Sequence, residues 1–256
     1  MQILLPPSEG KTPPDEGPPV DPAGFAVDVS GRDEVLNALV KLCIDAPDSA
    51  ATTLKLGKSQ ADLVAVNAAL PTAPTAPAAT VYTGVMFDAL GLSRLPDAAR
   101  RRADRSLLIF SGLWGVVRPD DAIPSYRCSA GVKLPDLSPK GTTTVARFWA
   151  SRLTSALNDL VDDGFVIDLR SSAYAAMWRP AASVAIRVLH ERQVDGELVR
   201  SVVSHFNKAT KGRLAATLLT ENVQCKNSDE LATALKDLGY RVETHGDVID
   251  VVVSEL

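Results

Sequence analysis

Five polar segments of this 256-residue chain hold the side chains that could do chemistry. The first is Pro6-Pro7-Ser8-Glu9-Gly10-Lys11-Thr12, whose Lys11 is suited to a phosphate or a carboxylate. Its Gly-Lys-Thr ending echoes a phosphate-binding loop, but GxxxxGK[ST] needs a glycine where Leu5 stands, so this is not a Walker motif. The second, Val81-Tyr82-Thr83-Gly84, offers two hydroxyls either to a ligand or to the cap of a helix starting near Val85. The third runs from Ser111-Gly112-Leu113-Trp114-Gly115 through Arg118, Asp120 and Asp121 to Tyr126-Arg127. Its Gly-apolar-x-Gly turn resembles that of a helix-hairpin-helix, where backbone amides meet a DNA phosphate. The adjacent aspartates lack a third oxygen ligand and read as a turn rather than a magnesium site.

The fourth segment, Asp168-Leu169-Arg170-Ser171-Ser172-Ala173-Tyr174, leaves a strand and opens a short helix, a natural place for an anion. The fifth, Ser204 to Arg213, sets Lys208, Lys211 and Arg213 within six residues, either as a phosphate patch or as a solvated helix face. Cys43, Cys128 and Cys225 are scattered, with no CxxC, and read as free thiols. His190, His205 and His245 show no paired ligand spacing, so neither a metal nor another cofactor is expected. At a net charge of −4 the chain has no general attraction for nucleic acid or anionic membrane, and a phosphate partner requires a local basic patch.

The elements that must position these groups follow from hydrophobic pattern. Residues 2–5, 106–110 and 164–169 are mainly apolar runs without alternation, with Asp168 polar near the exit of the last, as in buried strands, and each delivers a polar segment at its end. Residues 183–190 and 198–206 read as adjoining strands, and 247–253 as a last one. Helical spacing marks residues 30–43 (capped by Ser30 or Asp33), 58–70, 142–160, 209–219 and 228–238. Arg100, Arg101, Arg102 and Arg105 fall at a helix end. Residues 12–24 form a Pro- and Gly-rich surface excursion and 71–80 a linker, with no composition shift between two halves. The expectation is one α/β domain over residues 1–256, a mixed β-sheet flanked by helices. The absence of an ~18-residue apolar run and of a signal-peptide pattern at Met1 to Leu5 predicts a cytoplasmic protein without membrane association.

Taken in order, these segments resemble the YaaA family, the bacterial peroxide-stress proteins. The resemblance rests on Ser8 and Lys11, Val81 to Gly84, Ser111 to Pro119 with Tyr126-Arg127, Phe148-Trp149, Leu169 with Ser171 and Tyr174, and Ser204 with Lys208, Lys211 and Gly212. It spans nearly the whole chain. The family loop commonly reads Ser-Pro-Ala-Lys-Thr and here reads Pro-Ser-Glu-Gly-Lys-Thr. The resemblance implies an unusual α/β topology, a positively charged cleft and a helix-hairpin-helix-like element near Gly112 to Val116. It also implies DNA binding and a cytosolic role in limiting oxidative damage when peroxide rises, linked to lowered unincorporated iron.

Two function classes remain open. In the first, a stress protein binds duplex or branched DNA through Lys11, Thr83, Gly112, Trp114, Gly115, Arg118, Arg127, Lys208, Lys211 and Arg213. In the second, an enzyme acts on a nucleotide, nucleobase or nucleic acid in the same cleft, with Lys11, Tyr82, Asp168 and Tyr174 as acid, base or orienting groups.

Overall fold

The computed structural model of the chain describes residues 1–138, 141–162, 164–194, 197–202 and 204–254, with the side chains of Val194, Ser204 and His205 outside that description. The strands are β1 (Gln2–Leu5), β2 (Ala76–Pro77), β3 (Leu107–Ser111), β4 (Gly115–Val117), β5 (Ala122–Ile123), β6 (Lys133–Ser138), β7 (Gly141–Thr144), β8 (Val166–Asp168), β9 (Ser183–Val194), β10 (Glu197–Ser201), β11 (Val242–His245) and β12 (Val248–Ser254). The helices are α1 (Arg32–Asp45), α2 (Pro47–Thr53), α3 (Leu63–Ala68), α4 (Ala78–Val81), α5 (Val85–Leu90), α6 (Asp97–Ser106), α7 (Val145–Val161), α8 (Ser172–Ala175), α9 (Ser204–Thr220) and α10 (Ser228–Asp237).

The continuous apolar runs become the centre of a mixed sheet in the order β11-β12-β9-β8-β1-β3-β4, with β10 alongside β9. The five inner strands β12, β9, β8, β1 and β3 are mutually parallel, while β4, β10 and β11 join antiparallel. Parallel pairing requires helices over both faces, which is why Leu107 to Ser111 can be buried at every position. The chain leaves β1, returns beside it on one side as β3 and later on the other side as β8. The carboxyl end of β1 is therefore a point where chain direction across the sheet switches, the usual position for a ligand crevice in open α/β sheets.

Residues 6–12 follow directly and are not a loose loop. Thr12 N donates to Val81 O at 2.9 Å and Thr83 N to Gly10 O at 3.2 Å, so Lys11 lies antiparallel against Tyr82. Gly84, at φ +95°, caps α5, and a side chain there would meet the Ser8 hydroxyl at 3.1 Å. No helix among the described residues is long and apolar enough to cross a membrane.

The structure corrects several of these expectations. The N-cap of α1 is Gly31 at φ +96°, without a side-chain bond, rather than Ser30 or Asp33. Residues 58–70 break into a 3-10 turn and the short α3, and the 71–80 linker contains β2 and most of α4. The strand expected through Phe206 stops at Ser201, and α9 begins at Ser204 instead of residue 209. There, apolar residues that alternate by chance imitate a strand beside a helix start. The turn likened to a helix-hairpin-helix joins the antiparallel strands β3 and β4, so no helix flanks it.

Candidate functional site

Lys11 sits where β1, α5 and the segment after β5 converge. Its Nζ donates to Ser8 O at 2.7 Å and lies 4.2 Å from the Tyr126 ring centroid and 5.4 Å from that of Tyr82. Burial lowers its pKa to about 7, helped by the neighbouring Arg127 cation and opposed by Glu9. Two aromatic faces and one carbonyl replace the water shell that an ordinary lysine keeps, so near neutral pH a large share of the amine is uncharged.

Beneath it runs a chain of hydroxyls. Tyr82 and Tyr126 share a 2.8 Å hydrogen bond, Tyr126 and Ser111 share one of 2.6 Å, and Ser111 Oγ accepts from Trp114 N at 2.9 Å. Burial pushes Tyr82 up to about 12 and Tyr126 well above the usual phenol range, so both stay protonated. Tyr174, raised by burial and bonded to the Ala130 backbone, is likewise a phenol and not a phenolate. Cys128 is buried, and its thiol is pushed up to about 12 despite the adjacent Lys11. A thiol held so far from its thiolate is a poor nucleophile.

Arg127 is fixed by a reciprocal clamp, Asn67 Nδ2 donating to Arg127 O at 2.8 Å and Arg127 N to Asn67 Oδ1 at 2.9 Å. Its guanidinium pairs with Glu9 at 2.8 Å. Lys11, Ser8, Glu9, Tyr126, Arg127, Cys128, Ser129 and Tyr174 line a recess of about 10 Å³, room for one water-sized group. Pro7, Ser8 and Glu9 also line a cavity of about 260 Å³ bounded by Gly84, Phe87 and Lys208. Pro6, Met86 and Lys208 are shared in turn with a cavity of about 220 Å³ that includes Arg170, Ser171, Asn207 and Lys211. Lys208 is exposed at their junction.

The remaining predicted residues divide sharply. Lys211 is buried, donates to Leu169 O at 3.2 Å, and has its pKa lowered by burial to about 8 with Asp168 opposing. Asp168 is committed elsewhere, as its carboxylate binds Arg170 Nε at 2.9 Å and Nη2 at 2.7 Å, and Arg170 also donates to Trp178 O and lies over Phe110. This is an internal ion pair rather than an available base. Thr83 is half-buried beside Gly10, and Arg213 is exposed with a bond to Thr210 Oγ1.

Gly112, Trp114 and Gly115, expected to approach a phosphate, are buried inside the fold. A Cβ on Gly112 would meet Cys128 O at 2.3 Å, and Gly115, at φ +74°, packs on the Trp149 ring. Arg118 is also drawn away from the cleft. Its Nη1 donates to Asp104 O and Arg105 O at the carboxyl end of α6, and its backbone N bonds the Asp121 carboxylate. A cation capping the last carbonyls of a helix is a structural part.

Asp121 further accepts from Ala26 N, and Asp120 pairs with Arg100. Among the described residues no three His, Cys, Asp or Glu side chains gather as a metal site. Sequence reasoning gave no role to Ser129 or Asn67 and read Cys128 only as a free thiol, while Tyr126 entered as part of the third polar segment; Asn67 lies inside the helical spacing of residues 58–70, which carries no sign of its clamp on Arg127. A larger open groove of about 550 Å³ lies among α1, α7 and the β6–β7 hairpin, but its Arg152 is already paired with Glu34.

Comparison with known proteins adds an independent line. A family model described as peroxide stress protein YaaA matches residues 1–245. A UPF0246 protein of Streptomyces coelicolor is 44% identical over 265 residues, covering 100% of both chains. A UPF0246 protein of Corynebacterium efficiens is 39% identical over 95% of both chains, and an uncharacterised protein of Campylobacter jejuni is 29% identical over 65% of this chain and 61% of its own. The chain belongs to the YaaA (UPF0246) family.

Proposed function

We propose that this chain serves the peroxide response for which its family is described, and that it does so by chemistry on a nucleotide, nucleobase or nucleic-acid strand in the Lys11 cleft. The observation that carries this reading is the setting of Lys11 itself. A lysine that only holds phosphate gains from remaining charged and hydrated. Lys11 lies against two phenol rings beside a second cation, conditions under which its amine is a base or a nucleophile at neutral pH. Lys208, exposed where two cavities meet, supplies the charge for a phosphate or carboxylate on the ligand. Limiting iron-dependent damage belongs to the same proposal, as a consequence of what is done to that ligand.

A second reading, DNA binding through a basic cleft, is favoured by Lys208 and Arg213, both exposed on α9. One experiment separates the two. A strain lacking the gene is challenged with hydrogen peroxide and complemented with wild type, Lys11→Ala or Lys208→Ala, while the purified proteins are titrated with duplex and branched DNA across salt. Chemistry at Lys11 predicts that Lys11→Ala loses protection with ligand affinity largely kept. Protection by Lys11→Ala equal to wild type refutes it, and a log-log salt slope near zero refutes DNA binding.

A further inference from the structure

We infer that Lys11 is a covalent nucleophile that forms an imine with an aldehyde or ketone whose ligand also carries a phosphate. This rests on the reading of the Lys11 cleft as reactive and names its substrate class. Lys11 Nζ has one hydrogen bond, to Ser8 O, and otherwise faces the ring of Tyr126. A neutral amine so held uses its N–H groups on the carbonyl and the ring face and keeps its lone pair for attack.

The recess it lines holds about 10 Å³, which suits a single carbonyl group and not a base or a sugar. We assign the remainder of the ligand to the 260 Å³ space that shares Pro7, Ser8 and Glu9 with the recess and is also lined by Lys208. That space approaches the lower range of small-molecule sites, roughly 300 Å³. An amine in the recess and a cation in the adjoining space fit a carbonyl compound that carries an anionic group, of which we take phosphate.

Competing chemistry in the recess is suppressed. Cys128, the other nucleophile there, stays a thiol, and the tyrosines stay phenols. In the reaction the Lys11 nitrogen lone pair forms a C–N bond to the carbonyl carbon and gives a carbinolamine. The carbonyl oxygen then leaves as water with the two amine protons, and the product is the neutral imine. No oxidant or reductant is consumed.

Two sources share this chemistry, a free sugar phosphate and the ring-opened deoxyribose of an abasic nucleotide in DNA. The test incubates the protein with glyceraldehyde 3-phosphate, with unphosphorylated glyceraldehyde, or with an abasic-site oligonucleotide, reduces with sodium cyanoborohydride, and maps adducts by mass spectrometry. At pH 7 the neutral fraction of Lys11 exceeds that of an ordinary lysine on the order of 10³-fold, so despite its depth it is labelled at least about tenfold more than exposed Lys41 or Lys58.

Lys11→Met, checked for folding by its melting transition, loses the adduct, and Lys208→Ala loses the preference for the phosphorylated probe. Stronger trapping of the oligonucleotide identifies nucleic acid as the source, and stronger trapping of the phosphosugar a metabolite. Equal labelling of all lysines, or labelling centred on Lys211, overturns the inference. If no imine is trapped while Lys11→Ala still loses peroxide protection, proton transfer by Lys11 stands and the covalent step falls.

Discussion

Replacing Lys11 by methionine should stabilise the protein. The wild-type amine falls from 10.5 to about 7 on folding, a shift dominated by burial. At about 1.36 kcal/mol per unit the shift corresponds to a ceiling of about 5 kcal/mol, and because the residue is half-buried rather than fully enclosed, screening reduces this to roughly 3 kcal/mol. The sign follows from proton counting. Between about 7 and 10.5 the unfolded chain binds a proton at Lys11 that the native state does not, so wild-type stability rises with pH across that window. Below it the full cost is present; above it the cost is gone.

Methionine has no charge to desolvate, and its flexible thioether fits beside the Tyr82 and Tyr126 rings. Lys11→Met should therefore melt higher by roughly 6–12 °C at pH 6.5, since 1 kcal/mol moves the midpoint of a chain this size by about 2–4 °C. The advantage should shrink steadily toward pH 10.5. Thermal or urea unfolding of both proteins at pH 6.5, 8.5 and 10 measures it, with the difference between the two curves cancelling the titration of the tyrosines and other lysines. A variant no more stable than wild type at pH 6.5, or an advantage constant with pH, refutes the account of Lys11 as a desolvated amine.

Three further outcomes follow from the same geometry. Asp168→Asn leaves the Arg170 guanidinium buried without its bidentate partner and should destabilise by about 3–5 kcal/mol in urea unfolding, with Lys11 labelling at neutral pH retained in the folded fraction. Arg118→Ala removes two bonds to the last carbonyls of α6 and should cost about 1–3 kcal/mol, while the salt slope of any DNA binding stays unchanged. Lys208→Ala, on an exposed helical position, should alter stability by no more than about 0.5 kcal/mol yet weaken binding of phosphorylated probes in calorimetric titration.

The buried parallel strands were legible because a strand covered on both faces needs an unbroken apolar run, as residues 107–110 show. The same logic placed Lys11 and Ser171 at strand exits, and the structure brings their segments to neighbouring cavities. It could not separate Lys11 from Arg118. Both are cations after an apolar strand, and only tertiary packing shows that one enters a recess while the other caps α6. Gly112 and Gly115 misled for a related reason, since glycines needed for backbone contact with Cys128 and Trp149 look in sequence like glycines needed for a phosphate. Tyr126 stood in the third polar segment beside Arg127, but its role could not be read there, because it is set by contacts with Lys11, Tyr82 and Ser111 that lie elsewhere along the chain.

The reactivity proposed for Lys11 rests on how the charges around it are paired. The recess contains one carboxylate and two cations, and Glu9 bonds Arg127 rather than Lys11. Arginine is the better partner, since its planar fork is charged at any ordinary pH and is less costly to desolvate. The clamp from Asn67 holds the Arg127 backbone in place for that pairing. Lys11 is left with a carbonyl and two ring faces, too little to retain its proton against burial and a neighbouring cation. Had Glu9 bonded Lys11, the site would be an ordinary ion pair and Arg127 the open cation. In the arrangement present, Arg127 is the paired cation and Lys11 the group whose lone pair the proposed chemistry uses.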